Sequence, residues 1–163
     1  MTQKETNNSN ATEAKKTLST VYQTIKEGKP RYLAYGLNEE DMDSLYKSAC
    51  NLYLKKDYSE ALDLFKRLST YNQLDPRGAM GMGLCFQKLE QYDTAAAFFL
   101  LSAEIEPEAK TLFCAASCFV ALKNYPEAVK ALDRIISLFQ EISHCNDLRE
   151  EAEEAKKSLI ELL

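Results

Sequence analysis

Three phrases in this chain share one pattern: KDYSEALDLF at 56–65, EQYDTAAAFF at 90–99 and KNYPEAVKAL at 123–132. Each places a tyrosine (Tyr58, Tyr92, Tyr125), an alanine three residues on (Ala61, Ala95, Ala128) and a bulky apolar residue four further (Phe65, Phe99, Leu132). The tyrosines are 34 and 33 residues apart. Such a period describes a supersecondary unit that cannot bury its apolar face alone and must stack on copies of itself. The i, i+3, i+7 spacing inside each phrase is that of one helix face.

The positions before each phrase complete a two-helix unit. Leu45, Ala79 and Leu112 lead; Ser48-Ala49, Met82-Gly83 and Ala115-Ala116 supply a small-residue step where helices approach closely; Leu52, Phe86 and Phe119 fill the gap beyond it. This order of large and small residues resembles the tetratricopeptide repeat, in degenerate form. Turn signals fit: Lys55-Lys56-Asp57 interrupts the first unit, Pro76 suits the first turn of a helix, Pro107 lies past a helix end, and Asn124 is an N-cap candidate before Pro126. The expected fold class is all-α, with three tandem helix-turn-helix repeats at 42–75, 76–108 and 109–142.

Two further helices flank the array. Residues 11–28 carry Leu18, Val21, Tyr22 and Ile25 at helical spacing and end at Gly28-Lys29-Pro30, so an N-terminal amphipathic helix is expected there. That helix can cover the first repeat of its own chain or another copy, since a repeat array must hide its end faces. Residues 147–163 place Leu148, Ala152, Ala155, Leu159 and Leu162 on one face of an acidic helix, read as a C-terminal cap. Residues 1–10 are polar and read as disordered, leaving 11–163 as a single helical domain.

Several function classes are disfavoured. The longest apolar run, Ala95–Ala103, has nine residues including a serine, against roughly 20 for a bilayer-spanning helix. It reads as the core helix of the middle repeat, and no membrane insertion is expected. The N-terminus has no apolar signal region, so the expected location is cytoplasmic. A net charge of -5 without a long Lys/Arg stripe argues against nucleic acid. Catalysis would rest on His144, the only histidine, beside Cys145, but neighbours on a helix point about 100° apart. Cys114 and Cys118 share a helix face, yet no second Cys/His pair completes a zinc site. Neither an enzyme nor a cofactor or metal is expected, and the five cysteines read as reduced.

A binding groove is the better candidate. In a tetratricopeptide array the first helix of each unit lines the concave side. Its inward positions include Tyr46, Cys50, Tyr53 and Leu54, then Arg77, Met80, Leu84 and Lys88, then Lys110, Phe113, Ser117 and Val120. A mostly apolar groove with a basic rim suits an extended, proline-containing peptide, which loses little chain entropy on docking. That the chain's own N-terminal segment covers these side chains remains the alternative. A second occupant, the acidic C-terminal peptide of a partner protein, would need Arg77, Lys88 and Lys110 to act as a carboxylate clamp.

The stretch NEEDMDSLYKSACNLYLKKDYSEALDLFKRLSTYNQLDPRGAMGMGLCFQKLEQYDTAAAFF, followed by CAASCFVALKNYPEA, resembles a narrower group. Its L-Y-x-x-A-x-x-x-Y helix and the G-x-G-x-C-x-Q and Q-Y-D-x-A phrases resemble the class II chaperones of bacterial type III secretion, the LcrH/SycD-like family. The resemblance covers roughly residues 15–142. It implies a non-catalytic bacterial cytoplasmic chaperone that keeps hydrophobic translocator proteins soluble and ready for export, with Tyr46, Tyr53 and Phe113 lining the client pockets. Cys50 stands where relatives carry a bulkier aromatic residue, which implies a wider pocket. The resemblance also implies a homodimer formed through Leu18, Val21, Tyr22 and Ile25, and a transcription activator as a further partner.

Overall fold

The computed structural model describes residues 16–140 and 146–162. The disorder expected for 1–10, and His144 and Cys145, lie outside the described residues. Helix α1 spans 16–26 and is followed by a 3-10 turn at Arg31–Tyr35. Then come α2 (Glu39–Leu54), α3 (Tyr58–Tyr71), α4 (Pro76–Lys88), α5 (Tyr92–Ile105), α6 (Ala109–Ala121), α7 (Tyr125–Gln140) and α8 (Asn146–Ile160). The described residues contain no strand. Each helix from α2 onward packs on the next, and α2 also touches α4. The result is three stacked helical hairpins followed by a capping helix, the all-α repeat fold expected.

Local chemistry sets the helix ends. Asn38 and Asp41 form a reciprocal capping box: the Asn38 side chain accepts from the Asp41 N–H at 3.0 Å and the Asp41 carboxylate accepts from the Asn38 N–H at 2.9 Å. Asp75 accepts from the Arg77 N–H at 2.9 Å and caps α4, with Pro76 in the first turn where its missing N–H costs nothing. The three hairpin turns repeat one device. Lys56, Glu90 and Lys123 adopt left-handed φ angles of 68°, 59° and 56°. Beyond them the Asp57, Gln91 and Asn124 N–H groups donate back to the Leu52, Phe86 and Phe119 carbonyls. This is the Schellman arrangement, built without glycine.

Packing depends on where side chains are missing. A Cβ on Gly81 would fall within the Phe65 ring of α3, and one on Gly83 would lie 2.7 Å from the Phe99 ring of α5. Helix α4 therefore approaches both neighbours through glycine notches, each filled by the bulky residue of a repeat phrase. Phe65 and Phe99 are buried at 2% and 0% exposure, beside the fully buried alanines Ala61 and Ala95. The apolar run of α5 buries Ala95, Ala96, Phe99, Ser102 and Ala103 between its neighbours.

Two features depart from expectation. The 3-10 turn, which buries Tyr32 beside Met42 and Leu68, has no helical periodicity to reveal it. In α8 Ala152 and Leu159 are buried and Ala155 packs half-buried beside them, while Leu148, and Leu162 just past the helix, are 42% and 61% exposed. The five-residue apolar face expected there is corrected to a narrower stripe, because α8 packs on α7 at the end of the stack.

Candidate functional site: a two-chamber groove on the first helices of the repeats

Two cavities lie along the face formed by α2, α4 and α6. The first, about 180 Å³, sits between α2 and α4 and is walled by Tyr46, Cys50, Tyr53, Leu54, Met80 and Leu84, with Phe65 and Gly81 as its floor. The second, about 340 Å³, sits between α4 and α6. Its walls come from Tyr46, Pro76, Arg77, Met80, Ser102, Glu106, Glu108, Lys110 and Thr111. Tyr46, Arg77 and Met80 belong to both, so they form the sill between the chambers. No described residue before Tyr46 lines either cavity.

The first chamber is apolar and built on rings. Tyr46 packs against Phe65 with ring centroids 6.2 Å apart, and Tyr53 against Tyr58 at 5.4 Å. The neighbouring Cys50 thiol and burial push the Tyr46 hydroxyl above its ordinary pKa. Burial does the same for Tyr53. Both phenols stay neutral at physiological pH.

Arg77 is held from three sides. Its Nε donates to both Asp75 oxygens at 3.0 Å, its Nη2 to Asp75 Oδ2 at 2.7 Å, and its Nη1 to Asp43 Oδ1 at 2.7 Å. The guanidinium carbon lies 4.9 Å from the Tyr46 ring centroid, a cation–π contact. The hydrogen bonds that Arg77 donates to Asp75 and Asp43 push its pKa further up, and the same contact holds Asp43 below the usual carboxylate range. Asp75, 7% exposed, is thus both helix cap and counter-ion, which a buried carboxylate needs.

Seven of the twelve groove residues expected from the sequence line the first chamber or the sill: Tyr46, Cys50, Tyr53, Leu54, Arg77, Met80 and Leu84; Lys110 lines the second. The other four line neither. Lys88 and Val120 are exposed, Ser117 is exposed and accepts from Gln87 Nε2 at 3.3 Å, and Phe113 is half-buried against the cluster shared by α5 to α8. Sequence reasoning placed Phe65 on a buried repeat face and gave Gly81 no part in the groove, and it did not foresee that Asp43 and Asp75 together cage Arg77. The Asp-Pro-Arg step at 75–77 is the signal that marks that cage, since a capping aspartate two residues before an arginine places both on one helix start.

Of the residues expected at a dimer contact, Leu18, Tyr22 and Ile25 are 69%, 66% and 43% exposed, and Val21 is half-buried. In the same segment Thr24 is buried, and in the loop after α1 the Lys29 carbonyl accepts from Gln73 Nε2 at 3.3 Å. Cys85 and Cys118 are buried, and Cys50 and Cys114 half-buried; all four are free thiols. No metal-binding cluster occurs among the described residues, and no described helix is long and apolar enough to cross a membrane.

Residues 54–135 match a tetratricopeptide-type family model described as anaphase-promoting complex, cyclosome, subunit 3. The low calcium response locus protein H of Yersinia pestis is 29% identical over 97 residues, which span 59% of this chain and 58% of that protein. A type III secretion (T3SS) complex from Aeromonas hydrophila superposes with a TM-score of 0.76 at 20% identity, covering 86% of this chain and 95% of the other. The Yersinia enterocolitica type III secretion chaperone SycD in complex with a peptide of the translocator YopD gives 0.65 at 25% identity, covering 74% and 92%. The family match spans just over half of the chain, which therefore belongs to that tetratricopeptide-type repeat family.

Proposed function

We propose that this protein is a cytoplasmic chaperone of type III secretion that holds an extended apolar segment of a hydrophobic translocator protein in the groove between α2, α4 and α6. The observation that carries the reading is the α2–α4 chamber, an apolar well with aromatic walls left open by the protein's own helices. SycD, a relative, is known in complex with a peptide of the translocator YopD. Each leucine-sized side chain taken into such a well contributes about 1.5–3 kcal/mol. A useful affinity therefore needs several anchors, which an extended segment crossing both chambers provides. The protein acts by covering surface rather than by chemistry: Tyr46 and Tyr53 are neutral walls, and the thiols Cys85 and Cys118 are shut in the core.

An acidic C-terminal peptide is the weaker occupant, because Arg77, the innermost cation of a clamp, is already held by Asp43 and Asp75. The exposed Leu18, Tyr22 and Ile25 supply the apolar face for a second copy. Co-expression with hydrophobic translocators of the host secretion system tests the proposal. The wild type should copurify with a translocator, and a Tyr46→Ala, Tyr53→Ala variant with unchanged helicity should not. Undiminished copurification with the double variant would place the client elsewhere.

A further inference from the structure

The sill residue Arg77 separates an apolar chamber from one lined by Glu106, Glu108, Lys110 and Arg77 itself, and the charge of Arg77 is already offset by Asp43 and Asp75 outside the lining. Around it four carboxylates (Asp43, Asp75, Glu106 and Glu108) stand against two cations, Arg77 and Lys110. The neutral donors of the second chamber are spent internally. Ser102 Oγ donates to the Pro76 carbonyl at 3.0 Å, and Thr111 Oγ1 to Glu108 Oε2 at 3.0 Å. Arg77 turns Nε and Nη2 to Asp75 and Nη1 to Asp43, and its flat face rests on Tyr46. Lys110 apart, a guest side chain in this chamber meets acceptors rather than donors.

We infer that Arg77, through its carboxylate cage, sets the specificity of the groove: the guest places a bulky apolar side chain in the α2–α4 chamber and a cationic or amide side chain in the α4–α6 chamber, and an anionic side chain is rejected there. The inference rests on the groove reading above and adds the chemistry of the second anchor. Asp43 has the deciding part. It lies on α2, outside the α4 cap, and its replacement by asparagine removes a negative charge beside Arg77 Nη1 without disturbing the Asp75 cap.

The test uses three synthetic proline-flanked peptides with one leucine, carrying lysine, glutamine or glutamate at the next outward-spaced position on both sides, so that binding direction does not matter. Fluorescence anisotropy with the full chain should rank lysine and glutamine above glutamate, by roughly threefold to tenfold, the range of partly exposed to partly buried charge contacts. In Asp43→Asn the glutamate peptide should gain affinity and do so less at high salt, while the glutamine peptide is unchanged. Equal binding of all three peptides to the wild type, or an Asp43→Asn variant with wild-type ranking, would overturn the role of Arg77 and leave the groove reading standing. If none of the peptides competes for the groove with a copurified client, the groove reading itself fails. Circular dichroism of Asp43→Asn, altered at a half-exposed side chain, checks that the fold is intact.

Discussion

At the residue scale the proposed groove is prepared for a guest because Tyr46 and Arg77 are already held in place. Tyr46 offers one face to Arg77 and packs at a tilt against Phe65, so its ring is fixed before a guest arrives and little side-chain entropy remains to be lost. Replacing Tyr46 and Tyr53 together by alanine should weaken a client peptide by about 1.5–3 kcal/mol per ring, read as a shift in Kd by calorimetry. The buried thiols give a second prediction. Burial pushes Cys85 and Cys118 up to about 11 from an ordinary 9.0. The unfolded chain therefore releases these protons first as pH rises, and unfolding becomes easier between about pH 9 and 11, with the loss complete above that window. Below pH 9 these groups add no pH dependence. Denaturant titrations should show a shallower alkaline fall for a Cys85→Ala, Cys118→Ala variant than for the wild type.

At the scale of single elements, α4 matters most, because it carries the sill and meets both neighbouring helices through glycine. Gly81→Ala drives a methyl into Phe65, which is also the floor of the first chamber, and Gly83→Ala does the same to Phe99. Each should cost roughly 1–3 kcal/mol in chemical denaturation. Only Gly81→Ala should also lower client affinity, since only Phe65 lines the groove. The hairpin turns predict the opposite sign. Glycine at Lys56, Glu90 or Lys123 relieves a left-handed backbone and should stabilise by about 0.5–1 kcal/mol, seen as a higher midpoint in the same titrations. The repeat phrases made α3, α5 and α7 legible in the sequence, because a tyrosine, an alanine and a bulky residue at helical spacing mark the buried stripe directly. The 3-10 turn at Arg31–Tyr35 was not legible, since it is ordered by the packing of one residue, Tyr32, rather than by a periodic face. The expected apolar face of α8 was too wide for the same kind of reason: periodicity shows which residues can be buried, and the number of neighbours decides which are.

At the scale of the whole molecule the stack converts a one-dimensional repeat into a surface with two chambers. The inward positions of the first two repeats were readable from spacing, and Tyr46, Cys50, Tyr53, Met80 and Leu84 do come together. Phe113 and Val120 follow the same spacing without reaching the cavities. Phe113 packs instead against the cluster that extends through α7 to the terminal helix, and that packing was not visible in any local pattern. The chamber's floor and charge balance were equally hidden, because they arise where different repeats meet. The exposed stripe of α1 predicts association: a Leu18→Glu, Tyr22→Glu variant should sediment as a monomer under conditions where the wild type dimerises, with client binding retained, since neither residue lines the groove.

The central claim, that a client segment fills the α2–α4 chamber, can be read at Cys50, the cysteine that lines it. Alkylation of each thiol by iodoacetamide, followed by mass spectrometry with and without a bound translocator segment, reports occupancy of the chamber directly. The account predicts that the client slows labelling of Cys50 severalfold and leaves half-buried Cys114, which lines neither chamber, unchanged. A client that binds the protein while Cys50 reacts at its free rate would contradict it.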